Sequence, residues 1–322
     1  MATLVVPDSV PTPLEDAGKI RKAVQEFSFT LNLYSGLGTD EKALISVLGH
    51  RNAVQRKLIR QAYEEHYKEN LIKRLETELS GHFEKAMYRW MPDPVERDAL
   101  FAHLALKGQN YKVIAEIACE LPPDALLAVK RAYQSCYKTS LEEDVASHTS
   151  GDIRKILVGL VGTYRYDGNE VNPNVASSEA KILQDAIGGK HFNHEEVIRI
   201  VSTRSKAQLN ATFNRYKDVH GASLTKKLLG DPSDEFLAIL RTTVRCITDP
   251  IKYFEKVVRH ALTKAGTDED ALTRVIVRHA EKDLKEIKEL YYKRNSVTLA
   301  KSVAKETSGD YEAFLLTLLE GH

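Results

Sequence analysis

The feature that most constrains this chain is an internal repetition of its sequence. Four copies of one apolar pattern follow each other in register, at offsets of 70, 83 and 75 residues. Each copy places a tyrosine 17 residues before a Ser-Gly or Ser-Asp pair, and these tyrosines are Tyr63, Tyr133, Tyr216 and Tyr291. A period of this length is that of a small helical domain, so the chain is predicted to repeat one structural unit four times.

Within each copy the apolar residues recur at spacings of three and four, as in Leu71, Ile72, Leu75 and Leu79. This is helical periodicity, and prolines between the apolar segments mark where helices begin or end. We therefore predict an all-α protein with about five helices per copy. The predicted division is a tail at 1–13 and repeats at 14–91, 92–163, 164–248 and 249–322. The polar stretch 164–174 is interpreted as a linker between two halves of two copies each.

Composition excludes several classes of protein. There are 46 Lys and Arg against 45 Asp and Glu, a net charge of +1, so the chain lacks the basic excess of a nonspecific nucleic-acid binder. Its three cysteines show no metal-binding spacing, which predicts a reducing compartment. The longest uncharged run, at 27–39, is shorter than the roughly 18–20 residues of a membrane span, and the start does not resemble a signal peptide. A cytoplasmic protein without a nucleic-acid partner is predicted.

Two loops combine glycine and threonine with a distant carboxylate. Residues 36–41 read GLGTDE and residues 264–269 read KAGTDE, and a glutamate follows 40 residues after the glycine that precedes threonine. Ca²⁺ takes six to eight oxygen ligands, including carbonyls and a bidentate carboxylate, and glycine permits the positive φ that such a loop needs. The spacing predicts two Ca²⁺ sites. The predicted ligands are the carbonyls of Tyr34, Gly36 and Gly38 with the Glu78 carboxylate, and the carbonyls of Leu262, Lys264 and Gly266 with the Glu306 carboxylate.

One carboxylate per site would leave the bound ion positive and partly open to an outside oxygen. Such an ion can bridge to the phosphate of an anionic lipid, which requires no basic patch on the protein. Leu37 and Ala265, at the loop tips, are the predicted membrane contacts, and Thr39 and Thr267 are the predicted caps of the following helices.

Copies two and three depart from this pattern. Copy two has His148 at the carboxylate position, and copy three has Asp231 but no Gly-Thr loop. We therefore predict two functional sites and two that are lost. The alternative is that GxGT is an ordinary helix–helix turn, for which Gly and Thr are common choices.

These features resemble the annexin family, and the segments SLEEDVASHTSGDIRK and TRSKAQLNATFNRY resemble plant annexins. The resemblance implies a curved disc of four five-helix repeats, with calcium loops on its convex face. It also implies Ca²⁺-dependent, reversible binding to anionic phospholipid membranes, with usable sites in repeats one and four. One departure is a ten-residue insertion, Glu26–Ser35, between the first helix and its loop.

Rival functions remain open at this stage. An enzyme on the same fold is one alternative: a peroxidase using His50, a role that the resemblance implies, or a nucleotide phosphohydrolase, although no P-loop motif is present. The segment 198–200 resembles a short plant-annexin motif proposed for F-actin contact, which makes a cytoskeletal adaptor a third hypothesis. Val197 and Ile200 belong to the repeated apolar columns, so burial of this segment is the expected alternative. Cys119 and Cys246 are interpreted as core residues, with a redox role, which the resemblance implies, as the alternative. His191 and His194 suggest a zinc site only weakly. No residue identifies an ion pore. The leading hypothesis is a calcium-dependent membrane-binding protein that is not an enzyme.

Overall fold

A computed structural model describes residues 1–25, 39–189, 195–229, 233–263 and 266–321. Within these residues the secondary structure consists of twenty α-helices and no strand, which confirms the predicted all-α class. No helix in the described part of the chain combines the length and the apolar character required to span a bilayer.

Each copy contributes five helices, as the periodicity predicts. Copy one contains α1 (Pro13–Ala23), α2 (Glu41–Leu48), α3 (Ala53–Tyr67), α4 (Leu71–Glu78) and α5 (Gly81–Trp90). Copy two contains α6 (Pro94–Lys107), α7 (Lys112–Glu120), α8 (Pro123–Tyr137), α9 (Leu141–His148) and α10 (Gly151–Gly162).

The same order of helices returns in the second half of the sequence. Copy three contains α11 (Pro173–Gly188), α12 (Glu195–Thr203), α13 (Lys206–His220), α14 (Leu224–Lys227) and α15 (Glu235–Thr248). Copy four contains α16 (Pro250–Thr263), α17 (Glu269–His279), α18 (Leu284–Asn295), α19 (Leu299–Glu306) and α20 (Gly309–Glu320).

The helices form two compact units that do not follow chain order. One unit comprises Met1–Arg97 and Phe254–His322, and the other comprises Asp98–Tyr253. Copies one and four therefore share a unit, in which α2 and α5 pack against α20 and α5 packs against α17. The polar stretch 164–174 lies inside the second unit, whereas the sequence interpretation placed it between two halves of the chain. The pairing of repeats through their apolar faces depends on tertiary packing, and the order of repeats in the chain does not predict it.

The repeated apolar positions form the core. The four tyrosines of the repeat are each at most 3% exposed. The Tyr63 hydroxyl contacts Glu69, and the Tyr133 and Tyr216 hydroxyls donate to Asp144 and Gln184 over 2.6 and 2.7 Å. Repetition at this position thus preserves a buried ring, while the partner of its polar end changes from copy to copy.

The Ser-Gly pairs of the repeat have a backbone explanation. Gly81, Gly151 and Gly309 have φ of 70°, 55° and 65°, in the left-handed region that favours glycine. Copy three has Asp234 at this position, with φ of −74° and a carboxylate that caps α15. Glycine is thus present in the three copies whose turn requires a positive φ.

We expect Gly151→Ala to lower the free energy of unfolding by about 1–2 kcal/mol, because a β-carbon is strained in the left-handed region. The matched control is Gly188→Ala, at a position with open space around its Cα and no positive φ. That change should be neutral or slightly stabilising. Urea unfolding of both variants checks this, and equal effects would contradict the explanation.

Candidate metal centres

The loop of copy four is closed by the backbone. The amide of Asp268 donates to the carbonyl of Ala261 over 2.9 Å, which joins the start of α17 to the end of α16. Gly266 lies between them with φ of 88° and open space where a side chain would stand. Leu262 is in the last turn of α16, where carbonyls lack helical partners. The two other residues of this predicted loop, Lys264 and Ala265, lie outside the described residues.

Helix capping corrects one prediction. The caps of α2 and α17 are Asp40 and Asp268, not the threonines before them. Their carboxylates accept hydrogen bonds from the amides of Ala43 and Ala271 over 2.9 and 3.0 Å. An aspartate directly before an apolar helical segment is itself a capping signal, and the sequence analysis passed over it.

Thr267 instead links the loop to the distant glutamate. Its hydroxyl donates to the backbone carbonyl of Glu306 over 3.1 Å. In copy one the Thr39 hydroxyl donates to the carboxylate of Glu41. The Thr267 bond brings the end of α19 next to the loop, so residues 39 positions apart become neighbours.

Glu306 is the last residue of α19, and its side chain is about one third exposed. Its carboxylate contacts the ammonium group of Lys305 over 2.9 Å, and this hydrogen bond raises the pKa of Lys305. Lys305 is 81% exposed, so the pair is a surface ion pair that a divalent cation can replace at small cost.

The groups at this loop suit a Ca²⁺ ion chemically. Gly266, Thr267 and Glu306 supply carbonyl and carboxylate oxygens, which are the ligands of a hard cation. The loop also borders an open cleft of about 370 Å³, lined by residues 266–270 together with His82 and Lys85. The cleft leaves room for water or an outside anion beside the ion.

Copy one has the same closure over a longer loop. The amide of Asp40 donates to the carbonyl of Ala23 over 2.9 Å, and the dihedral angles of Asp40 (−86°, 82°) are close to those of Asp268 (−92°, 83°). Seventeen positions separate this pair against seven in copy four, a difference of ten residues. The predicted positions Tyr34, Gly36, Leu37 and Gly38, and the insertion Glu26–Ser35, lie outside the described residues.

The glutamate of copy one is held more firmly than that of copy four. The side chain of Glu78 is 33% exposed, and its carboxylate contacts Arg74 over 3.0 Å. Arg74 also lies 3.6 Å from Glu69 and donates to the carbonyl of Val24 over 3.3 Å. An ion at Glu78 must therefore compete with a guanidinium that is fixed by two other groups.

Copy two presents neither a carboxylate nor a long loop. The amide of Asn110 donates to the carbonyl of Ala105 over 2.8 Å, so the turn is two residues shorter than in copy four. The imidazole of His148 contacts the carbonyl of Asp144, and the carbonyl of His148 accepts from the Tyr111 hydroxyl over 2.7 Å. The loop of copy three falls on residues 190–194, outside the described residues, as do His191, His194 and Asp231.

Comparison with known proteins agrees with the repeat. The annexin family model matches residues 32–90, 97–160, 178–242 and 253–318. The chain belongs to the annexin family. It is 60% identical to the annexin-like protein RJ4 of Fragaria ananassa over 99% of both chains, which groups it with plant annexins. Chicken annexin V has a similar structure, with a TM-score of 0.88 at 30% identity over 100% of this chain and 99% of that one. The calcium-bound structure of annexin (Sm)1 has a TM-score of 0.77 at 25% identity, covering 99% and 93%.

Family membership supports a general activity for this annexin. Annexins bind phospholipid membranes peripherally and in a calcium-dependent manner, and the chain shares their repeat and fold over nearly its whole length.

The cysteines of this annexin that were candidates for redox chemistry lie in the core. Cys119 and Cys246 are at most 2% exposed. Burial raises the pKa of the Cys119 thiol, which disfavours the reactive thiolate.

The residues behind the other rival functions have local partners. The side chain of Arg199 is 38% exposed and pairs with Glu196 over 2.8 Å, while Ile198 and Ile200 are buried. The His50 imidazole contacts the carbonyl of Val5 over 3.2 Å. The actin-binding and peroxidase hypotheses gain no geometric support from these contacts.

Proposed function

We propose that this annexin is a cytoplasmic protein that binds anionic phospholipid membranes through Ca²⁺ ions held in repeats one and four. The observation that carries the proposal is the shared local geometry of Asp40 and Asp268. Both close their loop onto the preceding helix and cap the next one with nearly equal dihedral angles. In each repeat a partly exposed glutamate lies at the end of the fourth helix.

Some of these residues would bind the ion, and others hold the loop in position. Carbonyls of the glycine loop, at Gly266 and at the predicted Gly36 and Gly38, would bind the ion together with Glu306 or Glu78. The bound ion supplies positive charge that attracts a lipid phosphate. Asp40 and Asp268 hold the loops in place through their caps, and Thr267 keeps Glu306 beside its loop.

The site in repeat four should bind Ca²⁺ more tightly than the site in repeat one. Glu306 is paired with Lys305, which is 81% exposed and free to rotate into solvent. Glu78 is paired with Arg74, which is 27% exposed and bound by two further groups. Freeing Glu78 for a metal therefore costs more than freeing Glu306.

Cosedimentation with phosphatidylserine vesicles across a calcium titration tests the proposal. We expect Glu306→Gln to raise the calcium concentration at half-maximal binding about tenfold, or about 1.4 kcal/mol, because the site loses its carboxylate ligand. Glu78→Gln should have a smaller effect, and the double variant should bind least.

The matched control is Glu76→Gln, an exposed carboxylate on the same helix as Glu78. It should leave the calcium requirement unchanged. Binding by the wild type that persists in chelator, or a double variant that behaves as the wild type, would rule out calcium bridges at these glutamates.

A further inference from the structure

Repeat three differs from the other repeats in its fourth helix. Helix α14 has four residues, whereas α4, α9 and α19 each have eight. The chain leaves the helix at Leu228, whose amide donates to the carbonyl of Leu224 over 3.0 Å. The Arg241 guanidinium contacts the carbonyl of Leu228 over 3.4 Å. The early helix end is thus tied to α15.

This early end exposes an apolar side chain. Leu228 is 1% exposed and belongs to the repeated core column, whereas the adjacent Leu229 is 64% exposed. By repeat register, Leu229 corresponds to Glu76 and Ala304 and stands two residues before the position of Glu78 and Glu306. Repeat three therefore presents a leucine at the end where repeats one and four carry their predicted calcium ligands.

The residues before this leucine are basic. Lys226 and Lys227 are exposed, and neither pairs with a carboxylate within the described residues. The corresponding residues are Lys73 and Arg74 in repeat one, Glu143 and Asp144 in repeat two, and Lys301 and Ser302 in repeat four, and Arg74 is paired with Glu78 over 3.0 Å. Repeat three is thus the copy in which two lysines at these positions precede an exposed leucine.

We propose that repeat three contacts the anionic bilayer directly, without a calcium ion, through Leu229 and the two lysines. Leu229 enters the interfacial layer, and Lys226 and Lys227 attract lipid phosphates. The surface of one leucine and two lysines is far smaller than the roughly 800 Å² that each partner buries in a stable protein interface. An apolar side chain flanked by cationic ones suits a charged bilayer surface. The inference rests on the proposed function, since it takes the anionic bilayer of that proposal as the ligand of repeat three.

A tryptophan reporter tests the contact. Trp90 is the sole tryptophan and is fully buried, so Leu229→Trp adds a signal over a constant background. With phosphatidylserine vesicles and calcium, we expect its emission to shift to the blue and to be quenched by brominated lipid. The matched control is Val219→Trp, because the Val219 side chain is also well exposed, at 55%. Val219 lies near the end of α13, before the N-terminal end of α14, whereas Leu229 follows the C-terminal end of α14. Its emission should not change.

The outcomes separate the two proposals. If Leu229→Trp cosediments with vesicles and its emission shows no shift relative to that of Val219→Trp, the repeat-three contact is wrong and the calcium sites stand. A shift of equal size in both variants also overturns the contact. If neither variant nor the wild type cosediments with calcium present, both proposals fail.

The lysines are tested by charge removal. The variant Lys226→Gln with Lys227→Gln should weaken binding to phosphatidylserine vesicles about tenfold or more, since each lysine near an anionic surface contributes about fivefold. The effect should shrink as salt is added, and Lys217→Gln, an exposed lysine on α13, should change binding little. Unchanged binding at low salt would overturn the role of the lysines.

Discussion

Replacing Glu281 by glutamine is expected to lower the free energy of unfolding by about 3–5 kcal/mol, because it leaves buried guanidinium groups without their counter-charge. The Glu281 carboxylate accepts from the Arg56 guanidinium over 2.8 Å and from the Ala53 amide over 2.6 Å, and it lies 3.6 Å from Arg97. Arg56 and Arg97 are at most 2% exposed. Burial lowers the pKa of Arg56, whereas the charge of Glu281 and its hydrogen bond act in the opposite direction by favouring the guanidinium.

Urea unfolding measures this loss. Glu289→Gln is the matched control, because Glu289 is an exposed carboxylate on the helix that follows Glu281. That change should stay within about 0.5 kcal/mol. A loss below about 1 kcal/mol for Glu281→Gln would show that the arginines find other partners.

Trp90→Ala is expected to cost a similar amount, about 3–5 kcal/mol, because it empties a large buried volume. Trp90 is fully buried, and its indole nitrogen donates to the carbonyl of Leu48 over 2.8 Å. The guanidinium groups of Arg56 and Arg97 lie 3.6 and 4.8 Å from the ring centroid. The change therefore also removes two cation–π contacts in a desolvated setting.

Circular dichroism during urea unfolding checks this prediction, because the variant loses the native tryptophan signal. Tyr292→Ala is the control, since Tyr292 is 57% exposed on α18. It should cost much less than Trp90→Ala. Equal losses would mean that the indole and its two arginines contribute little to stability.

The two effects should not be additive. Glu281 and Trp90 act on the same two arginines, so removing one partner weakens what the other can contribute. This cluster joins copies one and four, since Arg56 and the amide of Ala53 in copy one both donate to Glu281 in copy four. It is a physical reason why these two copies form one compact unit.

The candidate sites were only partly predictable from sequence. The GTDE loops and the glutamates 40 residues later were identified from spacing, and the structure places Thr267 against Glu306 across that distance. The capping role was given to the wrong residue, because the choice between Thr and Asp depends on where the first helical turn begins. The fixed Arg74 beside Glu78 and the exposed Lys305 beside Glu306 could not be ranked without side-chain contacts.

The amino-acid sequence by itself determined the repeat, the five helices of each copy and the buried columns, because these depend on local periodicity and on which side chains avoid water. Only the tertiary structure decided that copies one and four share a unit, that Glu281 serves two buried arginines, and that Leu229 is exposed beside buried Leu228. These features depend on contacts between residues far apart in the chain, or on where a helix ends against its neighbour. The spacing of residues along the chain predicts neither the long-range contacts nor such helix ends.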